Sequence, residues 1–158
     1  MELTLEEALK RGIDAYQAGQ VQEADSYFTA ILNAQPKHPD ANHNMGILGV
    51  SIGKLEEAIP FFKTAIEANP SVEQYWVSYI NTLINLNQLD EVENVLNEAK
   101  GNGISGEAVE QFEEVINQRQ DGISLSVADE LPQHQLQPLL DLYNEGSLQE
   151  TLVGVQLL

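Results

Sequence analysis

The sequence predicts an all-α protein, a solenoid of stacked helical hairpins, and three observations carry that prediction. Identical residues recur at an offset of 34 positions, apolar residues follow helical spacing within each unit, and the alternation typical of β-strands is absent. A hairpin of this kind buries its apolar faces against its neighbours, so we expect one continuous core along the stack.

The repeat is seen most clearly in its first two copies. They share six positions: Gly12 and Gly46, Gly19 and Gly53, Glu23 and Glu57, Ala24 and Ala58, Phe28 and Phe62, and Pro36 and Pro70. A third copy is weaker, because Asn87 stands in place of the turn glycine and Val92 in place of the small alanine. We therefore expect repeats over residues 5–38, 39–72 and 73–104.

Each unit is predicted to contain two helices. In the second copy, apolar stripes at helical spacing run over residues 41–52 and 55–66. Gly53 separates the two stripes. Pro70 ends the second helix, because the residue before a proline is pushed out of the α region.

Helix starts and close contacts also have sequence signals. The segments Thr4–Glu7 and Ser71–Gln74 have the spacing of capping boxes, which predicts helix starts at both places. We expect Gly46 to face Ala58 where the helices of a hairpin cross closely, since larger side chains there would force them apart. Phe62 is expected to fill the gap between successive hairpins.

The period breaks after the third copy. A glycine-rich stretch precedes residues 106–119, which are predicted to form a capping helix with an apolar face of Ala108, Val109, Phe112, Val115 and Ile116. Residues 121–131 are interpreted as a linker and residues 132–158 as an incomplete fourth repeat. Such an unfinished repeat leaves an apolar face uncovered. We therefore expect a fragment of a longer protein, whose uncovered C-terminal helices either dock on another copy in a homo-oligomer or fray.

The pattern resembles the tetratricopeptide repeat over residues 5–100. Ala58 and Phe62 match the A-x3-F part of its signature, and Trp76 keeps its first aromatic position, where the second copy has Asn42. The resemblance implies a right-handed superhelix of helical hairpins whose first helices line a concave groove. It is specific for the fold and does not identify a partner.

Charge and composition exclude several function classes. The chain has 7 Lys and Arg against 25 Asp and Glu, a formal net charge of −18. Such a charge disfavours phosphate backbones and anionic membranes, so we expect neither nucleic acid nor a membrane as partner. The absence of cysteine excludes disulfides and thiolate chemistry. No signal-peptide layout is present, which favours a cytoplasmic location.

No cluster of residues points to catalysis. His38 and His43 lack the spacing of helical metal ligands, and His134 lies far along the chain. The run Gly101–Gly106 fits G-x-G-x-x-G formally, but it follows a helix rather than a strand. We expect no catalytic residue, no metal, no cofactor, and no enzymatic activity from this chain by itself.

The resemblance places a partner-binding groove on the first helix of each hairpin. The residues it assigns to the groove are Leu9, Ile13, Tyr16, Gln17, His43, Ile47, Val50, Ser51, Val77, Asn81, Ile84 and Asn85. An apolar strip with interleaved amides, in which Leu9, Ile47, Val50, Val77 and Ile84 are partly exposed, suits an extended or helical peptide. The alternative is that these side chains only pack against the neighbouring helix.

The expected function is a protein-interaction module that presents this groove to a peptide or protein. Related domains that bind acidic chaperone C-termini place cations along the groove, whereas this chain has Leu9, His43 and Val77 there, so we expect a basic or neutral partner. The run 38–46 and Trp76 also resemble bacterial proteins whose repeats precede a glycosyl-, sulfo- or methyltransferase domain. The chain would then be the substrate-recognition region of such an enzyme. A self-assembling stack is a third hypothesis.

Overall fold

The computed structural model describes residues 3–120, with only the backbone for residues 119 and 120. This part of the chain consists of seven α-helices without a β-strand, which confirms the predicted fold class. The helices are α1 (Leu5–Gln17), α2 (Val21–Ala34), α3 (Pro39–Ser51), α4 (Leu55–Ala68), α5 (Glu73–Asn85), α6 (Leu89–Gly101) and α7 (Glu107–Gln120). The predicted linker and the incomplete fourth repeat lie outside the described residues.

The helices pack as a row of hairpins. Helix α1 pairs with α2, α3 with α4 and α5 with α6, while α2 contacts α3 and α4 contacts α5 across the hairpin boundaries. In addition, α1 contacts α3 and α3 contacts α5, so the first helices of the three hairpins share one surface. We call the surface formed by α1, α3 and α5 the inner face.

A Schellman motif closes the turn inside each hairpin. The second N–H after the helix cap bonds to the carbonyl five residues earlier, at 2.9, 2.8 and 2.9 Å in the three hairpins. The residue before that N–H has a positive φ, 75° at Gly19, 78° at Gly53 and 56° at Asn87. Asparagine tolerates this left-handed conformation better than other residues with a Cβ, so the third turn keeps its shape without glycine.

Substitutions at Asn87 test whether this residue stabilises the turn through its left-handed backbone conformation. We expect Asn87→Ala to lower the free energy of unfolding by about 1 kcal/mol, because alanine pays the full cost of the left-handed region, and Asn87→Gly to be neutral or stabilising. Urea denaturation checks both. Gln88→Ala is the matched control, since Gln88 has φ −91° and makes no side-chain cap bond. Equal losses for alanine and glycine at position 87 would contradict this explanation.

The second helices end in two different ways. Helices α2 and α4 end two residues before Pro36 and Pro70, and the cap residues directly before the prolines are extended, with φ −135° at Gln35 and −150° at Asn69. Helix α6 has no such proline, and it ends with another Schellman motif in which the Ile104 N–H bonds to the Ala99 carbonyl at 3.1 Å and Gly103 has φ 85°. The glycine-rich stretch therefore ends α6, as the prolines end α2 and α4.

The nearest partner of Gly46 is Phe62 rather than Ala58. A Cβ atom on Gly46 would lie 2.5 Å from Phe62 Cε1, and the three nearest atoms all belong to that ring. The glycine whose nearest neighbour is Ala58 is Gly49, where a Cβ would lie 3.4 Å from Ala58 Cβ. The Phe62 ring thus packs within its own hairpin, over the space that Gly46 leaves open.

In the third hairpin, a large residue stands at the position of the small Gly46 and a smaller one at the position of the large Phe62. Ile80 and Leu96 stand 34 residues after Gly46 and Phe62, and both are buried, with 1% and 2% of their surface exposed. Ile80 has a side chain where Gly46 has none, so we expect that a phenylalanine at position 96 would overfill the core of this hairpin. Two departures from the repeat pattern therefore compensate each other.

The Asn42 side chain takes over a role of the signature tryptophan. Trp76 Nε1 donates a hydrogen bond to the Pro70 carbonyl at 2.9 Å, and Asn42 Nδ2 donates to the Pro36 carbonyl at 3.0 Å. Both pairs are six residues apart, and both tie the first helix of a hairpin to the proline that precedes it. The substitution in the second copy loses the ring but keeps the hydrogen bond.

Of the two predicted capping boxes, one is present. Thr4 Oγ1 accepts from the Glu7 N–H at 3.1 Å while the Thr4 N–H donates to Glu7 Oε2 at 2.9 Å, and these bonds lower the pKa of the Glu7 carboxyl. The second prediction is wrong, because α5 begins at Glu73 after a Val72 cap that makes no side-chain bond. Ser71 instead donates its hydroxyl to Asn69 Oδ1 at 2.7 Å.

Helix α7 packs on α6 through its apolar side. Val109 and Phe112 are buried, and the Lys100 ammonium of α6 lies 2.5 Å from Glu113 Oε1 of α7. The charge pair is about half exposed, so burial of the two apolar side chains is the main stabilising contribution. None of the helices described has the length and apolar character to cross a bilayer.

Candidate functional site

All twelve predicted groove residues lie on α1, α3 and α5 and therefore on helices of the inner face. Five of their side chains are buried: Leu9, Ile13, His43, Val77 and Ile84. Four are half-buried: Tyr16, Ile47, Val50 and Asn81. Three are exposed: Gln17, Ser51 and Asn85.

Several of the predicted groove residues are buried, so only part of the predicted groove is accessible to a partner. Leu9, Val77 and Ile84, which the sequence suggested would be partly exposed, keep only 8%, 6% and 5% of their surface open. They belong to the core because neighbouring first helices contact each other and cover them. We call the other members the accessible strip, defined as Tyr16, Gln17, Ile47, Val50, Ser51, Asn81 and Asn85.

One edge of the accessible strip follows the repeat period. Gln17, Ser51 and Asn85 are 34 residues apart, and each is the last residue of its helix. Half-buried Tyr16 and Val50 precede the first two of them. On α1 and α3 the strip therefore has a polar side chain beside a partly open apolar one, whereas on α5 it has the two amides Asn81 and Asn85; none of its members is charged.

His43 is a buried link between α3 and α5 rather than an open groove side chain. Its Nε2 lies 2.9 Å from Ser78 Oγ, and its ring centroid lies 4.9 Å from that of Tyr75 and 5.9 Å from that of Phe62. Burial lowers the pKa of His43 to about 3, so the imidazole is neutral at ordinary pH. A neutral, enclosed imidazole is a structural hydrogen-bonding group here.

A second polar contact lies beside the first. The Tyr75 hydroxyl donates to Asp40 Oδ1, and burial together with that carboxylate raises the pKa of Tyr75. The two contacts, Asp40–Tyr75 and His43–Ser78, each join residues 35 positions apart. Together they hold α3 against α5 and set the spacing of the accessible strip across the second and third hairpins.

The sequence analysis did not identify Tyr75 and Ser78 as partners of the predicted groove. The signal that was present is the offset of 35, one repeat plus one residue, between a polar side chain on one first helix and a polar side chain on the next. The repeat period of 34 residues does not pair these positions. In the described part of the chain, no group of three or more His, Asp and Glu side chains is placed to hold a metal ion.

Comparison with known proteins agrees with this architecture. Residues 15–76 match the family model for the tetratricopeptide repeat. No curated protein is significantly similar to the chain in sequence.

Solved structures with the same fold include three of interest. The TPR2B domain of yeast Sti1, in a complex with pHsp70, has a TM-score of 0.65 at 18% identity, over 73% of this chain and 97% of that one. The first such domain of RPAP3, bound to the HSP90 peptide SRMEEVD, has a TM-score of 0.64 at 17% identity, over 77% and 98%.

The third structure is a mutant of the Thermobaculum terrenum O-GlcNAc transferase. It has a TM-score of 0.57 at 20% identity and covers 65% of this chain. The matched region is 20% of the transferase, so the chain spans about a fifth of that enzyme's length. At these identities the three likenesses show a shared fold.

Proposed function

We propose that this stack of tetratricopeptide repeats is a protein-interaction module that binds a peptide along the accessible strip of its inner face. The observation that carries the proposal is the strip itself, which repeats a polar side chain at the ends of α1, α3 and α5 and adds partly open Tyr16, Ile47 and Val50 on α1 and α3. One of the similar structures holds a peptide and another is a complex with pHsp70, which supports a peptide or protein segment as the class of ligand.

The geometry favours a peptide in the polyproline II conformation. Packed helices lie about 8–10 Å apart, so equivalent strip positions on α1, α3 and α5 repeat at that distance. A polyproline II chain has three residues per turn and a rise of about 3.1 Å per residue, so every third side chain falls on one face about 9 Å from the last. An apolar side chain at every third residue would therefore meet each helix once.

Charge favours a neutral or basic peptide over an acidic one. The accessible strip contains no cation, and the whole chain carries a net charge of −18. The peptide SRMEEVD that RPAP3 holds contains three acidic side chains. Such a peptide would find no charge-assisted partner in this strip and would approach against the field of the protein.

Fluorescence anisotropy with labelled peptides tests the proposal. We expect three repeats of Pro-Pro-Leu to bind, the same peptide with two N-terminal lysines to bind about as well or better at low salt, and the version with two N-terminal glutamates to bind more weakly. Equal affinity for the lysine and glutamate versions would contradict the charge argument.

Two variants locate the binding surface. Val50→Asp places a charge in the accessible strip, and we expect it to weaken binding about tenfold through an unpaired, partly buried carboxylate. Ile52→Asp is the matched control, because Ile52 is 49% exposed, lies two residues away and is not part of the strip. Thermal denaturation of both variants confirms that they are folded. If both substitutions weaken binding equally, the peptide does not use the strip.

A second function is favoured by the likeness to the Thermobaculum terrenum transferase. In this alternative the repeats recognise the protein substrate of a glycosyl-, sulfo- or methyltransferase whose catalytic domain lies elsewhere. We expect the 158-residue chain alone to transfer no sugar, sulfate or methyl group to a peptide that it binds. A transferase domain in the gene that encodes the chain would support this alternative, and turnover by the chain alone would contradict both functions.

A further inference from the structure

A cavity of about 400 Å³ lies away from the inner-face strip, between α4, α5 and the start of α6. Its apolar lining includes Ile59, Leu83 and Leu89, and its polar lining includes Lys63, Tyr79 and Glu91. None of these residues belongs to the accessible strip. The volume is sufficient for one long side chain of a partner.

Tyr79 supplies an unsatisfied polar group in this cavity. Only 3% of the residue is exposed, and its hydroxyl has no hydrogen-bond partner. Burial raises the pKa of this hydroxyl, so it stays neutral and keeps oxygen lone pairs that can accept a hydrogen bond. A buried hydroxyl that lacks a well-formed hydrogen bond costs stability, and the polar neighbour that lowers the pKa of this hydroxyl is the Lys63 ammonium.

The Lys63 ammonium also lies near Tyr79 and near Glu91. Its ammonium lies 5.8 Å from the centre of the Tyr79 ring and 3.9 Å from Glu91 Oε1, at the outer limit of an ion pair. Half of the Lys63 side chain is exposed. It is therefore an internal cation placed over the tyrosine and near the carboxylate. Its attraction to the Tyr79 hydroxyl opposes the rise in pKa that burial causes, and its exposed half lets it move into solvent when another cation takes its place.

We propose that this cavity binds the arginine side chain of a partner protein, with its guanidinium group in the place over Tyr79 that the Lys63 ammonium now approaches. The methylene stem of the arginine packs on Ile59, Leu83 and Leu89. The guanidinium donates to the Tyr79 oxygen and to the Glu91 carboxylate.

Arginine fits these groups better than other side chains do. Its guanidinium has several donors in a plane and no acceptor, so it can serve a hydroxyl oxygen and a carboxylate together, whereas an ammonium acts as a point charge. An anionic ligand would pair with Lys63 but would face Glu91, and the protein as a whole is strongly negative. The apolar lining suits the alkyl part of a long cationic side chain.

NMR titration of the full chain with N-acetyl-arginine N-methylamide tests the proposal. We expect the shifts to concentrate on Tyr79 and on residues 87–91, and N-acetyl-citrulline N-methylamide, the neutral isostere, to bind about tenfold more weakly. Equal shifts with the citrulline compound, or preferential binding of N-acetyl-glutamate N-methylamide, would overturn the proposal.

Three variants test the roles that the proposal gives to Tyr79, Glu91 and Lys63. Tyr79→Phe should weaken binding of the arginine compound while leaving the melting temperature unchanged or higher, because it removes an unsatisfied buried hydroxyl. Glu91→Gln should also weaken binding. Lys63→Met should strengthen it, because the internal competitor is gone.

Lys54→Met is the control for net charge. Lys54 pairs with Glu57 at 3.0 Å and does not line the cavity, so its removal should change the affinity less than Lys63→Met does. If Tyr79→Phe lowers the melting temperature and leaves the affinity unchanged, the hydroxyl is structural and the proposal is wrong. The accessible strip is a separate surface, so peptide binding there and arginine binding here can each fail without the other.

Discussion

Gly46→Ile is expected to lower the free energy of unfolding by about 3 kcal/mol, and Phe62→Leu in the same chain should restore much of that loss. The reason is that a Cβ at Gly46 would lie 2.5 Å from the Phe62 ring, which cannot withdraw because it is fully buried. The double variant recreates the Ile80 and Leu96 combination of the third hairpin, where the same space is filled from the other helix. Urea denaturation of the two single variants and the double variant measures the coupling.

Two further substitutions check this explanation. Leu96→Phe should destabilise by about 1–3 kcal/mol, because it puts a large ring opposite Ile80. Gly101→Ala is the matched control for adding a Cβ within a helix, since nothing lies within 4 Å of that position. It should be neutral or stabilising by up to about 1 kcal/mol. Simple additivity of Gly46→Ile and Phe62→Leu would show that the two side chains do not share one space.

Acidification is expected to destabilise the protein through His43. The pKa of this group is about 3 in the folded protein and 6.5 in the ordinary state, so the unfolded chain binds a proton that the folded chain excludes between these values. Stability is therefore fully present above pH 6.5 and falls as the pH drops towards 3. The loss amounts to about 1.4 kcal/mol per pH unit, or about 2 kcal/mol between pH 7 and pH 5.

Urea denaturation at pH 7 and pH 5 measures the effect. His43→Gln should remove most of the difference between the two pH values, although it lowers stability at pH 7 by losing the bond to Ser78. His38→Asn is the matched control, because asparagine keeps a side-chain acceptor where His38 Nδ1 now accepts from the Ala41 N–H at 3.2 Å. A full pH difference in His43→Gln would place the responsible group elsewhere.

The compensating pair in the third hairpin shows how far sequence reasoning reaches. The 34-residue repeat identified the third copy only as a weaker one, from Asn87 and Val92, and it does not reveal the pairing of sizes at Ile80 and Leu96. The structure shows both residues buried, on α5 and α6 of one hairpin. A repeat pattern compares positions one at a time, whereas packing depends on the sum of two volumes.

The groove illustrates the same limit. The resemblance to the tetratricopeptide repeat assigned all twelve candidate residues to the first helices of the hairpins, and all twelve lie on α1, α3 and α5. It did not show that His43 is enclosed by Tyr75 and Ser78, since that depends on how closely α3 approaches α5. Nor did it indicate the Tyr79 cavity, whose lining comes from three helices.

What the sequence by itself determined is the architecture: seven helices among the described residues, their pairing into hairpins, and the turns that need a left-handed residue at Gly19, Gly53 and Asn87. These follow from local preferences of the backbone and from apolar spacing, which act over a few residues or one repeat. Only the tertiary structure decided which side chains remain open to a partner. Accessibility depends on distances between helices, and those are set by every side chain packed between them.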